Sequence, residues 1–158
     1  MKKQRPTIPV GTWKLATNLE ATRQIQGQAG VPAYKCDCEW CTKWRHCFSE
    51  VLPNDLLDQL SRIGIELEAP TDLYRYDSDE NGFSIRVVYH AVGKILEGPT
   101  QWTSNDMGEM LMYSTLREDP HLSLVVFPQS QSHDAGPSFK TKKEGDLIRI
   151  DMRLKVPS

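Results

Sequence analysis

Apolar and polar residues recur along this chain with two different periods, and the period changes near Gly64. Before Gly64 the repeat is helical. At 100° per residue from Trp40, the side chains of Trp40, Cys41, Trp44, Cys47, Phe48 and Val51 share an arc of about 120°. Glu39, Thr42, Lys43, Arg45, His46, Ser49 and Glu50 fill the remainder. The spacing predicts a helix over 38–51, with Asp37 as N-cap and Glu39 placed against the positive end of the helix dipole. Pro53 interrupts it. Leu56, Leu57, Leu60 and Ile63 form a further stripe, which Gly64 should close in a left-handed cap with Ile65 folding back. Upstream, Thr17-Asn18-Leu19-Glu20 has the form of a capping box, predicting a short helix to Gln26 with Gly27 just past its end. Residues 28–32 read as a loop.

After Gly64 the period is two. Leu73 to Tyr76 predicts a short strand and Asp77 to Gly82 a turn. From Phe83 to Val92, Phe83, Ile85, Val87, Tyr89 and Ala91 point one way, and Ser84, Arg86, Val88, His90 and Val92 the other. Gly93 marks a bulge or turn, and Gly98-Pro99 ends a strand through Lys94 to Glu97. Leu111 to Leu116 fits helix or strand equally. Leu122 to Phe127 has the length of a buried strand, and Ser130 to Pro137 is a polar loop. In the last strand Ile148, Ile150, Met152, Leu154 and Val156 alternate with Arg149, Asp151, Arg153 and Lys155, which predicts one core face and one face toward water. Helices first and strands second, without βαβ alternation, define an α+β fold. The expectation is a single domain over 1–158, with two or three N-terminal helices packed on an antiparallel β-sheet of about four to six strands.

A chain of 158 residues is long enough to bury roughly two thirds of its unfolded surface. Its core therefore needs no disulfide or metal staple. The 19 Lys and Arg against 21 Asp and Glu give a net charge of −2, which makes no overall electrostatic case for a nucleic-acid partner. Tyr74, Tyr76 and Trp102 with Arg149, Arg153 and Lys155 suggest base stacking, but Asp151 interrupts that basic row. The basic start Met1-Lys2-Lys3-Gln4-Arg5 is followed by Pro6 to Thr12, not by an apolar signal run. No stretch approaches the ~18 apolar residues that cross a bilayer. A soluble cytoplasmic protein is expected, with an unidentified small molecule or protein as partner and no membrane.

That setting changes the reading of the four cysteines, Cys36, Cys38, Cys41 and Cys47, which all fall within twelve residues. In a reducing compartment such a cluster suggests thiols or metal ligands rather than disulfides. A structural zinc site takes four ligands in a tetrahedron, usually as two separated pairs, and no second pair exists here. Cys38 and Cys47 lie nine residues apart, about 180° around a helix, and His46 lies about 140° from Cys41. Cys36, Cys38 and Cys41 remain as a three-thiolate corner for zinc, to be completed by a distant residue such as His90, His121 or His133. Cys47, and by the same stripe Cys41, can equally be small apolar core residues. An iron–sulfur cluster meets the same objection of geometry. Cys38-Glu39-Trp40-Cys41 is also a C-x-x-C at a helix start, where the dipole favours a nucleophilic thiolate, although Glu39 opposes it and no strand precedes it as in a thioredoxin-like fold.

Other motifs add less. Asp77-Ser78-Asp79-Glu80-Asn81-Gly82 imitates half of a calcium loop, but Val88 stands where the bidentate Glu belongs, so a hairpin turn at Asn81-Gly82 is the better reading. Arg86 and His90 share one strand face about 13 Å apart and are candidates to line a groove for an anionic ligand; the alternative is an ordinary solvated face. His121 follows Asp119-Pro120 in a turn, and His133-Asp134 falls in the polar loop. No nucleophile elbow, phosphate loop, dinucleotide fingerprint or His-Glu-x-x-His is present.

The segment Tyr34-Lys35-Cys36-Asp37-Cys38-Glu39-Trp40-Cys41, with Arg62-Ile63-Gly64-Ile65 and Tyr89-His90-Ala91-Val92-Gly93-Lys94-Ile95, resembles a group of small uncharacterised bacterial proteins. That group shares a Tyr-x-Cys-x-Cys-x-x-Cys segment, a Leu-Gly-Ile turn and a His-x-Val-Gly strand. Ile63 replaces the usual Leu, and Cys47 is outside the pattern. The resemblance implies a bacterial cytosolic origin and no reaction or cofactor. Two functional expectations follow. The first is a non-catalytic ligand-binding or interaction domain using Arg86 and His90. The alternative is a thiol-redox or zinc-binding protein using Cys36, Cys38 and Cys41.

Overall fold

The computed structural model describes residues 7–28, 36–99, 102–105, 108–132, 134, 136–139 and 145–157. Its first element is one the sequence pattern did not predict. Thr7–Val10 (β1) and Trp13–Thr17 (β2) form an antiparallel hairpin around Gly11-Thr12. The alternation is short but complete: Ile8, Val10, Trp13 and Leu15 are buried, while Thr7, Pro9 and Lys14 are exposed. Pro9 fits because β1 is the end strand of its sheet and needs no donor on its free side. A hairpin therefore precedes the helices.

Three helices follow. Leu19–Ile25 (α1) is capped by Asn18, whose side-chain oxygen accepts the Ala21 amide at 2.9 Å. The cap thus falls one residue later than the Thr17 box, and Thr17 is the buried end of β2. Glu39–Val51 (α2) is capped by Cys38 rather than Asp37. Asn54–Arg62 (α3) ends as its sequence predicts. Gly64 takes φ +95, its amide bonds to Ser61 O at 3.1 Å, and the Ile65 amide bonds to Leu60 O at 3.2 Å. That is the paired bonding of a Schellman cap, with buried Leu60 and Ile65 as its apolar contact.

The strands that follow are Asp72–Asp79 (β3), Gly82–Glu97 (β4), Trp102–Asn105 (β5), Gly108–Leu111 (β6), Ser114–Arg117 (β7), Leu122–Pro128 (β8) and Asp146–Pro157 (β9). The ambiguous stretch from Leu111 to Leu116 is strand on both sides of a short break. The turn between β3 and β4 is Glu80-Asn81, one residue earlier than predicted, with Gly82 already in the strand. The fold is α+β, and its curled antiparallel sheet runs in the order β1-β2-β4-β9-β8-β7. A separate two-stranded ladder joins β5 and β6.

The 16-residue strand β4 organises this sheet. One edge pairs with β9 from Gly82 to Gly93. The other edge is shared: β3 takes the first half and β2 the second. At Gly93 a Cβ would lie 2.2 Å from Ala16 O, so only glycine lets β2 approach there.

α2 and α3 cover the face carrying Ile85, Val87, Tyr89 and Ala91 of β4 and the apolar residues of β9, and together they enclose the main core. Trp44 is anchored inside it: its indole N–H donates to Leu67 O at 3.0 Å and to Tyr89 Oη at 2.9 Å. α1 packs on the opposite side of β4, where Ala21 and Ile25 bury Val92. No helix among the described residues is long and apolar enough to cross a membrane.

The second face of β9 departs from expectation. Arg153 is exposed and Lys155 partly so, but Arg149 and Asp151 are fully buried. The face predicted to meet water is covered at this end and carries an internal ion cluster.

Candidate functional site

The cysteine segment is shaped by the start of α2. Cys38 adopts the extended N-cap conformation, and its Sγ accepts the Cys41 amide at 3.4 Å. Cys36 Sγ in turn accepts the Cys38 amide at 3.5 Å. Arg45, two turns into the helix, reaches back to donate to Cys36 O at 2.9 Å and stands 3.9 Å from Asp37. Trp40 fixes the helix against the sheet by meeting Phe83 edge-on at 4.4 Å between ring centroids, with Lys43 over both rings. Cys36 and Asp37 are thereby tied to the first turns of the helix.

The consequence is that three thiols converge. The Sγ atoms of Cys36, Cys38 and Cys41 all lie within 4.8 Å of one another. A tetrahedron of 2.3 Å zinc–sulfur bonds sets sulfurs about 3.8 Å apart, so small side-chain rotations close the gap. The three differ in exposure: Cys38 is exposed, Cys36 half-buried and Cys41 buried. The cluster thus has a wet side and a dry side. Hydrogen bonding from the Cys41 amide holds the Cys38 thiol below its ordinary pKa, whereas burial pushes the Cys41 thiol far above it. Cys47 stands outside the cluster, partly buried against Trp44, Ile85 and Val156, and burial raises its pKa. The four-ligand site that the helical register argued against does not form.

Neither His90 nor His121 joins the three thiols. His90 is buried, with Nδ1 2.7 Å from Thr71 Oγ1 and Nε2 2.6 Å from Gln129 Oε1. His121 Nε2 lies 3.2 Å from Ser123 Oγ. His133 lies outside the described residues, as do Tyr34 and Lys35 and most of the loop at 28–32.

Arg86 and His90, the candidates for an anion groove, each have protein partners. Arg86 Nε donates to both Asp151 oxygens at 2.8 and 3.0 Å, Nη2 to Asp151 Oδ2 at 2.5 Å, and Nη1 to Tyr74 Oη at 2.6 Å. His90 is held neutral, its pKa pushed down to about 4 by burial, with the Arg149 charge acting in the same direction. Sequence reasoning missed Arg149, Asp151, Asp134 and Tyr113, which complete this cluster. The available signal was Arg149-Ile150-Asp151, opposite charges two apart on one strand face, and that pattern is equally the mark of a solvated strand.

The chain matches no protein-family model, no curated protein and no solved structure.

Proposed function

We propose that this protein binds a thiophilic metal ion, zinc above all, through Cys36, Cys38 and Cys41, with the fourth position open toward solvent on the Cys38 side. The observation that carries the reading is the convergence of three sulfurs on one point. A dithiol redox motif needs two thiols, and the third has no role there. The hydrogen bonds support the same reading: backbone amides donate to two of the sulfurs, as they do around thiolates that carry negative charge. Coordination lowers the pKa of a ligating thiol, so the buried Cys41 can join the site despite its resistance to ionisation in the free protein. An open position leaves room for water or a ligand atom from a partner.

The test is metal content. Reduced protein loaded with zinc and then dialysed should retain one equivalent. Serine at 36, 38 or 41 should abolish retention, and Cys47→Ser should leave it unchanged. Retention that survives Cys36→Ser and Cys38→Ser sinks the reading.

One observation favours a second reading, thiol redox chemistry: Cys38 is exposed with a lowered pKa, and its C-x-x-C partner Cys41 is buried with a raised one. That asymmetry suits an attacking and a resolving thiol. Under it, mild oxidation yields a Cys38–Cys41 disulfide, and Cys36→Ser leaves that product intact.

A further inference from the structure

A second polar cluster lies on the face of β9 away from the cysteines. Its centre is the Asp151 carboxylate, fully buried. It accepts from Arg86, from Arg149 Nε at 3.1 Å and from Tyr113 Oη at 2.9 Å. One internal carboxylate therefore serves two guanidiniums. Burial makes an uncompensated charge costly, so the pair requires a second anion.

The anion at ion-pair distance is Asp134, while the Asp72 carboxyl lies near enough to feel both arginines. Asp134 Oδ2 lies 3.2 Å from Arg149 Nη2 and 3.7 Å from Arg86 Nη2. The exposures are unequal: the Asp134 side chain is 53% exposed, that of Arg86 14% and that of Arg149 1%. Asp134 belongs to no strand. Among the described residues its backbone is held locally, by Gln129 Nε2 to Asp134 O at 2.7 Å and by the Asp134 amide to Ser132 Oγ at 3.1 Å. The counter-anion of two recessed arginines is thus a half-exposed side chain whose departure breaks no sheet pairing. Arg149 Nη1 is also buried without a hydrogen-bond partner among the described residues. The cluster therefore has donor capacity that the described residues leave unused.

We propose that Arg86 and Arg149 form a binding site for a small oxyanion, a carboxylate or phosphate group of a ligand, and that Asp134 is the internal occupant which that ligand displaces. Two guanidiniums fixed by one buried carboxylate are preorganised forks, suited to planar or tetrahedral oxyanions. Tyr74 and Tyr113 hold those forks in place: the first accepts from Arg86, and the second donates to Asp151. The site is independent of the cysteines.

The test uses Asp134→Ala in the full chain, with Asp134→Asn as a second variant should the first not fold. Each is titrated beside the unaltered protein with inorganic phosphate and, separately, with acetate at constant ionic strength, following the arginine Nε–H resonances by NMR. Removing the internal competitor should tighten saturable anion binding roughly tenfold, the scale of one charge-assisted hydrogen bond. Asp134→Glu should behave as the unaltered chain. Tighter binding of phosphate assigns the ligand to phosphate esters, and tighter binding of acetate assigns it to carboxylic acids. A folded Asp134 variant that saturates with neither anion overturns the proposal. So does saturation that persists unchanged in Arg86→Gln.

Discussion

The Sγ of Cys38 accepts the backbone N–H of Cys41 at 3.4 Å, so one turn of helix places an exposed and a buried thiol in contact with opposite tendencies to ionise. Alkylation of metal-free, reduced protein near neutral pH should modify Cys38 first and Cys41 last, the latter only as the chain unfolds. A mass-spectrometric time course checks this order. Early modification of Cys41, or of Cys47 ahead of Cys38, contradicts it.

Asp151 is the keystone of the internal ion cluster. Asp151→Asn leaves two recessed guanidiniums short of one negative charge and should cost about 3–5 kcal/mol, the range for breaking a buried ion pair from one side. Denaturant unfolding measures it. A loss below about 1 kcal/mol, the scale of an exposed pair, would show that water reaches the cluster.

Trp44 and Tyr89 form a hydrogen-bonded pair over Leu67 O. Trp44→Phe should cost on the order of 2–3 kcal/mol, from one lost buried donor and reduced packing. Tyr89→Phe should cost on the order of 1 kcal/mol, because the Trp44 N–H keeps Leu67 O satisfied. A double-mutant cycle should show that the two losses do not add. Strict additivity counts against a shared network.

His90 gives the protein an acid limb. It faces Thr71 and Gln129 directly and feels the charges of Arg149 and Asp151. Its folded pKa of about 4 lies below the ordinary value of 6.5. Between those values the unfolded chain binds more protons, so stability is fully present above pH 6.5 and is lost as pH falls toward 4. The loss is on the order of 3 kcal/mol. Unfolding free energies across this window should flatten in His90→Leu, the slope being the readout rather than the starting value. An unchanged slope would place the titration elsewhere.

Much of this architecture was readable where side chains repeat on one face. The stripe from Trp40 to Val51 gave α2, the alternation of Ile148 to Val156 gave β9, and Gly64 gave the end of α3. Two things were hidden. The β1–β2 hairpin is only two short strands with Pro9 in one of them, too little alternation to stand out from a loop. The burial of Arg149 and Asp151 depends on what lies over that end of β9, and strand period cannot report what covers a face. The cysteines were partly legible. Helical phase separated Cys47 from Cys38, and the structure keeps them apart. Spacing also set Cys36, Cys38 and Cys41 apart as a three-thiolate corner, and their sulfurs do lie together; that Cys38 rather than Asp37 caps the helix was not legible.

Joint binding of one metal ion by Cys36, Cys38 and Cys41 is the proposal on which the functional reading rests. Cobalt(II) titration of freshly reduced protein is the decisive measurement, because thiolate-to-metal charge transfer reports sulfur coordination and the visible bands report tetrahedral geometry. The expected result is saturation at one equivalent with a tetrahedral spectrum, zinc displacing the cobalt, and loss of the signal in Cys36→Ser, Cys38→Ser and Cys41→Ser but not in Cys47→Ser. Absence of charge transfer in the unaltered protein, or a signal that depends on Cys47, would contradict it.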